Sequence, residues 1–86
     1  MANKYKCPCC EYYTFDKIPN TNYDICPVCY WEDDPFAYDN PDYVESCNGV
    51  SLNKAKKNFV EFGACTKDMQ KYTRLPNSDE LRGVDL

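Results

Sequence analysis

The chain has 86 residues, ten basic and fourteen acidic, and a net charge of −4 with a pI near 4.6. That length fits one domain with a modest core, and domains this small often need a covalent or metal staple. The acidic balance argues against a nucleic-acid-binding chain, and no run is long or apolar enough to suggest a membrane span. The apolar fraction is supplied unusually, by eight Tyr, four Phe and one Trp, so a thin core with many half-buried rings is expected.

Taken in chain order, the first elements read as short strands: Asn3 to Lys6, Tyr12 to Phe15 and Tyr23 to Ile25 are aromatic or β-branched. Pro19-Asn20-Thr21-Asn22 reads as a turn. Asp33 to Pro41 is acidic, holds two prolines and shows no sustained period, so it reads as a loop. A helix is predicted next, over about 51–62. Ser51 serves as N-cap, Leu52, Ala55, Phe59 and Phe62 form the apolar stripe, and Gly63 takes the left-handed position beyond the end. A shorter helical turn is predicted from Thr66 to Tyr72, stopped by Leu75-Pro76. Residues 1–76 read as a single domain and 77–86 as a flexible tail.

Seven cysteines are present. Their odd number and the polar segment from Met1 to Lys6 point away from a secreted disulfide scaffold and towards a reducing cytoplasmic compartment with thiols free for metal. Cys7-Pro8-Cys9-Cys10 and Cys26-Pro27-Val28-Cys29 are echoes of one pattern, Cys-Pro-x-Cys, and their spacing reads as a site for one structural zinc held by Cys7, Cys10, Cys26 and Cys29. The paired turns bring two sulfurs each to one point. The proline fixes φ and lacks an amide, and the following amides can aim at the first sulfur. Cys9 is an alternative to Cys10, which is preferred because it repeats the spacing of the second pair. Cys47 and Cys65 read as packing residues, with a second site from Cys9, Cys47 and Cys65 as the competing reading. Four thiolates also suit a rubredoxin-type iron centre.

Catalysis is not expected. The chain has no histidine, four cysteines leave zinc no open position, and the run Glu32-Asp33-Asp34 reads as a solvated or pairing face. Trp31 is placed to shield the metal site, and the acids beside it to accept from backbone amides or from Lys54, Lys56 or Lys57.

The residues Cys7 to Cys10, Ile25 to Asp34, Pro41-Asp42-Tyr43, Asn48 to Leu52 and Ala55 to Ala64 together resemble a family of small bacterial proteins named for its CPCC motif. The resemblance covers about residues 5–75 and implies a zinc-ribbon-like, cytoplasmic protein with no activity to carry over. Three positions depart from the pattern: Glu11 stands where the family favours Gly, Cys47 where it favours a small residue, and Lys56 where it favours Arg. If position 11 needs positive φ, Glu11 accepts strain.

The fold class expected is therefore a small metal-bound α+β domain, with zinc-ribbon or rubredoxin-like β-hairpins and one C-terminal helix. The expected function is a structural zinc domain that docks another protein. Residues between Lys17 and Lys54 hold seven acids and no base, which favours a basic protein partner, with a monomer as the default state. The alternatives are a nucleic-acid-binding ribbon, resting on Lys56, Lys57, Lys67, Lys71 and Arg74, and an iron electron carrier.

Overall fold

The computed structural model describes residues 5–16 and 23–81, so the turn expected at 19–22 lies outside the described residues. Two Cys-Pro-x-Cys turns form one end of the chain's path. They are followed by a short helix α1 (Pro35–Asp39), a long helix α2 (Leu52–Phe62), a 3₁₀ turn (Lys67–Tyr72) and a second 3₁₀ turn (Ser78–Glu80).

α2 forms as its sequence dictates. The Ser51 hydroxyl accepts from the Lys54 amide at 3.0 Å, and Gly63 closes the helix at φ 82°, donating to the Phe59 carbonyl. Gln70 adds a side-chain amide to the Phe62 carbonyl, so another of the helix's terminal acceptors is satisfied. Leu52, Ala55 and Asn58 are buried, with Phe59 packed against the same core. The buried Asn58 is not an apolar-stripe residue. Its side chain donates to the Cys65 carbonyl at 2.9 Å and holds the chain that leaves the helix.

The expected β-hairpins do not form. Among the described residues there is no strand, only two isolated bridges, Tyr5 to Phe15 and Ile25 to Glu32. The donors a ladder would need are used elsewhere. The Cys7 and Thr14 amides both go to the Tyr12 carbonyl, and the Tyr13 amide goes to the Glu80 carbonyl at 2.8 Å. Left-handed backbone at Glu11, Tyr23 and Tyr30 also breaks extended geometry. Aromatic, β-branched composition reports half-burial as readily as strand pairing, and here it reported half-burial.

The segment Asp33 to Pro41 is not wholly loop, because α1 lies within it. Pro35 starts the helix and Asp34 caps it, accepting from Phe36 at 2.9 Å. Five residues are too few to show a period, so only the cap and the proline could have revealed it. Nor do Asp33 and Asp34 form a solvated face: both are buried, and Asp34 accepts a second amide, from Cys47, at 2.9 Å. Glu32 is tied through its backbone, with Asn48 accepting from its amide and donating to its carbonyl. The Asp33 amide donates to the Asp24 carbonyl. Of the two expected sets of partners, backbone amides serve Asp34.

Burial works against the charge of Asp34, but the amides of Cys47, Phe36 and Ala37 outweigh it and hold its carboxyl below the ordinary carboxylate range. A carboxylate stabilised in this way contributes fully above its unfolded value, about 3.9, and that contribution is lost as pH falls through the folded value. Asp34→Ala is expected to cost about 1–2 kcal/mol at neutral pH by loss of the cap and of the Cys47 amide's acceptor. Chemical denaturation at pH 7 and at pH 3 checks this, with the difference between variant and parent shrinking at the lower pH.

The core is thin, as the composition implied. Phe15, Val28, Trp31, Ala37, Leu52, Ala55 and Cys65 surround the cysteine turns, and Tyr12, Tyr30, Val50, Phe59 and Met69 pack on them half-buried. Tyr30 stacks on Tyr72 at 5.1 Å, and Tyr12 meets Phe59 edge-on at 6.2 Å.

Within residues 77–81, expected as the start of a loose tail, Glu80 is held against the domain while Asn77, Ser78, Asp79 and Leu81 stay exposed. Asn77 and Glu80 form a capping box around Ser78–Glu80, and Glu80 is only 4 % exposed. Its carboxylate takes both terminal nitrogens of Arg74 at 2.9 Å and the Asn77 amide at 2.8 Å. Arg74 in turn donates its backbone amide to Pro27, inside the second cysteine turn, while the Glu80 carbonyl accepts from Tyr13, beyond the first. Residues 74–80 therefore strap the two turns together.

Candidate metal centre

The two Cys-Pro-x-Cys turns share one backbone design. In the first, the Cys7 amide donates to Tyr12 and the Cys7 carbonyl accepts from Glu11. In the second, Cys26 donates to Trp31 and accepts from Tyr30. The residue after each second cysteine is left-handed, Glu11 at φ 68° and Tyr30 at φ 67°. That turn swings the second sulfur back beside the first. The strain anticipated at Glu11 is present, and it recurs at Tyr30.

Glu11→Gly is expected to stabilise the protein by about 0.5–1 kcal/mol, because glycine removes a left-handed penalty of about 1–2 kcal/mol and returns part of it as unfolded-state entropy. Tyr30→Gly relieves the same strain but forfeits the stack on Tyr72, so its sign is expected to be opposite. Thermal or denaturant melts of the two variants against the parent check the pair.

The sulfurs of Cys7, Cys10, Cys26 and Cys29 all lie within 4.8 Å of one another, and all four residues are buried. Cys7 and Cys29 approach to 3.6 Å and Cys10 and Cys26 to 3.7 Å, each pair spanning the two turns. Four ligands at about 2.3 Å from a tetrahedral centre have edges of about 3.8 Å, so the donor set fits a tetrahedral thiolate-bound cation. All seven cysteines are free thiols. The sequence's preference for Cys10 over Cys9 agrees with this grouping, and no second cluster of three or more His, Cys, Asp or Glu ligands occurs among the described residues.

Hydrogen bonds to the sulfurs come from two sources. The Cys9 amide donates to the Cys7 sulfur at 3.4 Å, the arrangement expected beyond a Cys-Pro step. The Thr14 hydroxyl donates to the Cys26 sulfur at 3.1 Å, a contact the sequence did not signal. Without a cation, burial pushes the Cys7 and Cys29 thiols well up, whereas donation from Cys10, Cys29, Cys7 and Thr14 holds Cys26 down. The Thr14 hydroxyl thus favours the thiolate form of Cys26. A divalent cation would displace the remaining protons, so binding is coupled to proton release and weakens in acid.

The other cysteines differ. Cys65 is buried, and its thiol is pushed up to about 12, first by burial and then by Cys9. Cys47 is exposed, not packed as expected; partial burial of its sulfur and the charges of Glu32 and Asp34 still push it up to about 12. Both stay protonated at neutral pH, which makes them poor nucleophiles.

A scan against protein families matches residues 5–80 to the one described as cysteine-rich CPCC. The chain belongs to the cysteine-rich CPCC family. A search of curated proteins finds no match. Within the CPCC family frame, the match runs through Glu80 and so includes the whole strap, whereas the resemblance spans about residues 5–75 and the predicted tail begins at 77. The strap's signal was present: Asn77-x-x-Glu80 has the spacing of a capping box. The first CPCC cysteine pair, Cys7 and Cys10, and its repeat, Cys26 and Cys29, supply the whole sulfur cluster, while the motif's middle cysteine, Cys9, stands outside it.

Proposed function

We propose that this CPCC-family domain is a small cytoplasmic protein-interaction module whose fold is held by one structural Zn²⁺ on Cys7, Cys10, Cys26 and Cys29, with no catalytic role. The reading is carried by the sulfur tetrahedron, whose edges of 3.6 and 3.7 Å match a four-thiolate site closed to further ligands. Four thiolates exceed Zn²⁺ by two charges, so the centre is anionic, and the strap's Arg74 lies near enough for Cys26 to favour its charged form, after the larger effect of Glu80.

The partner surface we favour surrounds α1. Phe36, Tyr38 and Val44 are exposed there among the exposed acids Asp39, Asp42 and Glu45. With Asp33 and Asp34 turned inward, the acidic face is narrower than the sequence count implied, but it still suits a basic protein partner. The nucleic-acid alternative is weakened by the basic side's own engagements: both terminal nitrogens of Arg74 are held by Glu80, and Lys67 and Lys71 lie over Phe62 and Tyr72. No helix among the described residues is long and apolar enough to cross a membrane.

Native mass spectrometry with elemental analysis tests the reading. One zinc per chain in a colourless protein is expected. A red, iron-loaded protein would favour the electron-carrier alternative, and a metal-free folded protein would overturn the structural role.

A further inference from the structure

A cavity of about 420 Å³ opens where the first cysteine turn meets both helices. The turn supplies Lys6, Pro8 and Glu11, with the buried Cys7 behind them. α1 supplies Tyr38, and α2 supplies Leu52 and Lys56. Pro41, from the connection between the helices, completes the wall. That volume lies within the range of about 300–1,000 Å³ typical of small-ligand sites. The wall is braced by the backbone. The Glu11 amide donates to the Cys7 carbonyl at 2.8 Å, the Tyr38 amide to the Asp34 carbonyl at 2.8 Å and the Asn53 amide to the Pro41 carbonyl at 3.0 Å. The Asn53 side chain adds a bond to Asp42 at 2.9 Å, so the connection is pinned to the start of α2.

Three charges line this cavity, and the fold gives none of them a partner. Among the described residues, no side chain or backbone group forms a hydrogen bond or ion pair with the Lys6, Glu11 or Lys56 side chain. Lys56 was expected to reach the acids at 32–34, but Asp34 accepts from the Phe36 and Cys47 amides instead. Lys54 and Lys57 are exposed, whereas Lys56 is half-buried. An ammonium that has lost part of its water and gained no counter-charge favours an incoming anion. The remaining wall, from Pro8, Tyr38, Pro41 and Leu52, offers apolar surface. One cavity thus combines two cations, one anion and an apolar side.

We propose that this cavity binds a small zwitterion of the α-amino acid class that carries an apolar side chain. Lys6 and Lys56 donate to its carboxylate, Glu11 accepts from its ammonium, and the proline, tyrosine and leucine side chains cover its apolar part. A simple anion would meet the Glu11 carboxylate as well as the lysines. An uncharged apolar molecule would strip water from all three charges and return nothing to them. Cys7 is fully buried, so the ligand stays outside the sulfur cluster. The inference therefore depends neither on which metal the cysteines hold nor on a protein partner at α1.

The test uses the full-length protein as purified and follows backbone amides by NMR during titration. The probes are L-phenylalanine and L-leucine, with N-acetyl-L-phenylalanine to remove the ammonium and L-phenylalanine amide to remove the carboxylate. Saturable shifts at Tyr38 and Leu52 are expected, with half-saturation by phenylalanine at or below about 1 mM. Each blocked analogue is expected to bind about ten-fold more weakly, because one charge-assisted bond is lost. Lys56→Met and Glu11→Gln, from different walls, are each expected to weaken phenylalanine about ten-fold while keeping a folded spectrum. Lys57→Met, on the exposed face of α2, is expected to bind as wild type does. No saturable shift with either amino acid up to about 10 mM would overturn the proposal. So would a blocked analogue that binds as tightly as phenylalanine, folded Lys56→Met and Glu11→Gln variants with wild-type affinity, or the same shifts from inorganic phosphate alone.

Discussion

Removing the metal is expected to unfold the protein. A structural zinc on sulfur ligands contributes about 10–16 kcal/mol at neutral pH, and a domain's whole stability is about 5–15 kcal/mol. Here the comparison is more lopsided, because the four clustered cysteines sit within the core and the described residues contain no sheet to stand in their place. Without the cation the interior would hold four sulfurs in contact, with Cys7 and Cys29 protonated by burial. Exhaustive chelation, or Cys26→Ser, is therefore expected to abolish the cooperative transition seen by circular dichroism. Cys26 is chosen because it carries the Thr14 hydrogen bond. A chelated protein that keeps its helices and melts cooperatively would overturn the claim.

The second large effect is expected at the strap. Arg74→Ala would remove both guanidinium donors from the buried Glu80 carboxylate. Removing one partner of a buried ion pair costs about 3–5 kcal/mol; Arg74 is itself 40 % exposed, so its own part of the pair is screened, and about 2–3 kcal/mol is expected. Glu80→Ala leaves a half-exposed guanidinium that water can serve, so its cost is expected to be smaller. The inequality is the diagnostic. Urea denaturation of both single variants and the double variant, all metal-loaded, measures it; the double variant should lie close to Glu80→Ala. If Arg74→Ala proved as stable as wild type, the strap would be ornamental.

The sulfur cluster was legible because its information is local: four residues at fixed spacing, each pair bent by its own proline. α2 was legible for the same reason, with its cap, stripe and terminal glycine all inside thirteen residues. The 3₁₀ turn at Lys67–Tyr72 fell within the predicted Thr66 to Tyr72. The hairpins failed because whether Tyr13 pairs with a neighbouring strand or with Glu80 depends on a segment more than sixty residues away. Asp33 and Asp34 misled because a run of acids carries no mark of where the backbone turns them. Thr14 could not be assigned to Cys26 from spacing alone, since that contact exists only once both turns have met.

The order of the strap along the chain has a consequence for biosynthesis. Translation delivers both cysteine turns first, and Arg74 and Glu80 follow well after Cys29 has left the synthetic machinery. For that interval the sulfurs can gather around an ion while nothing yet ties one turn to the other through Pro27 and Tyr13. On the proposed metal reading, capture by the nascent chain is expected to precede locking, and a ribosome stalled before codon 74 is expected to present a loaded but readily stripped centre.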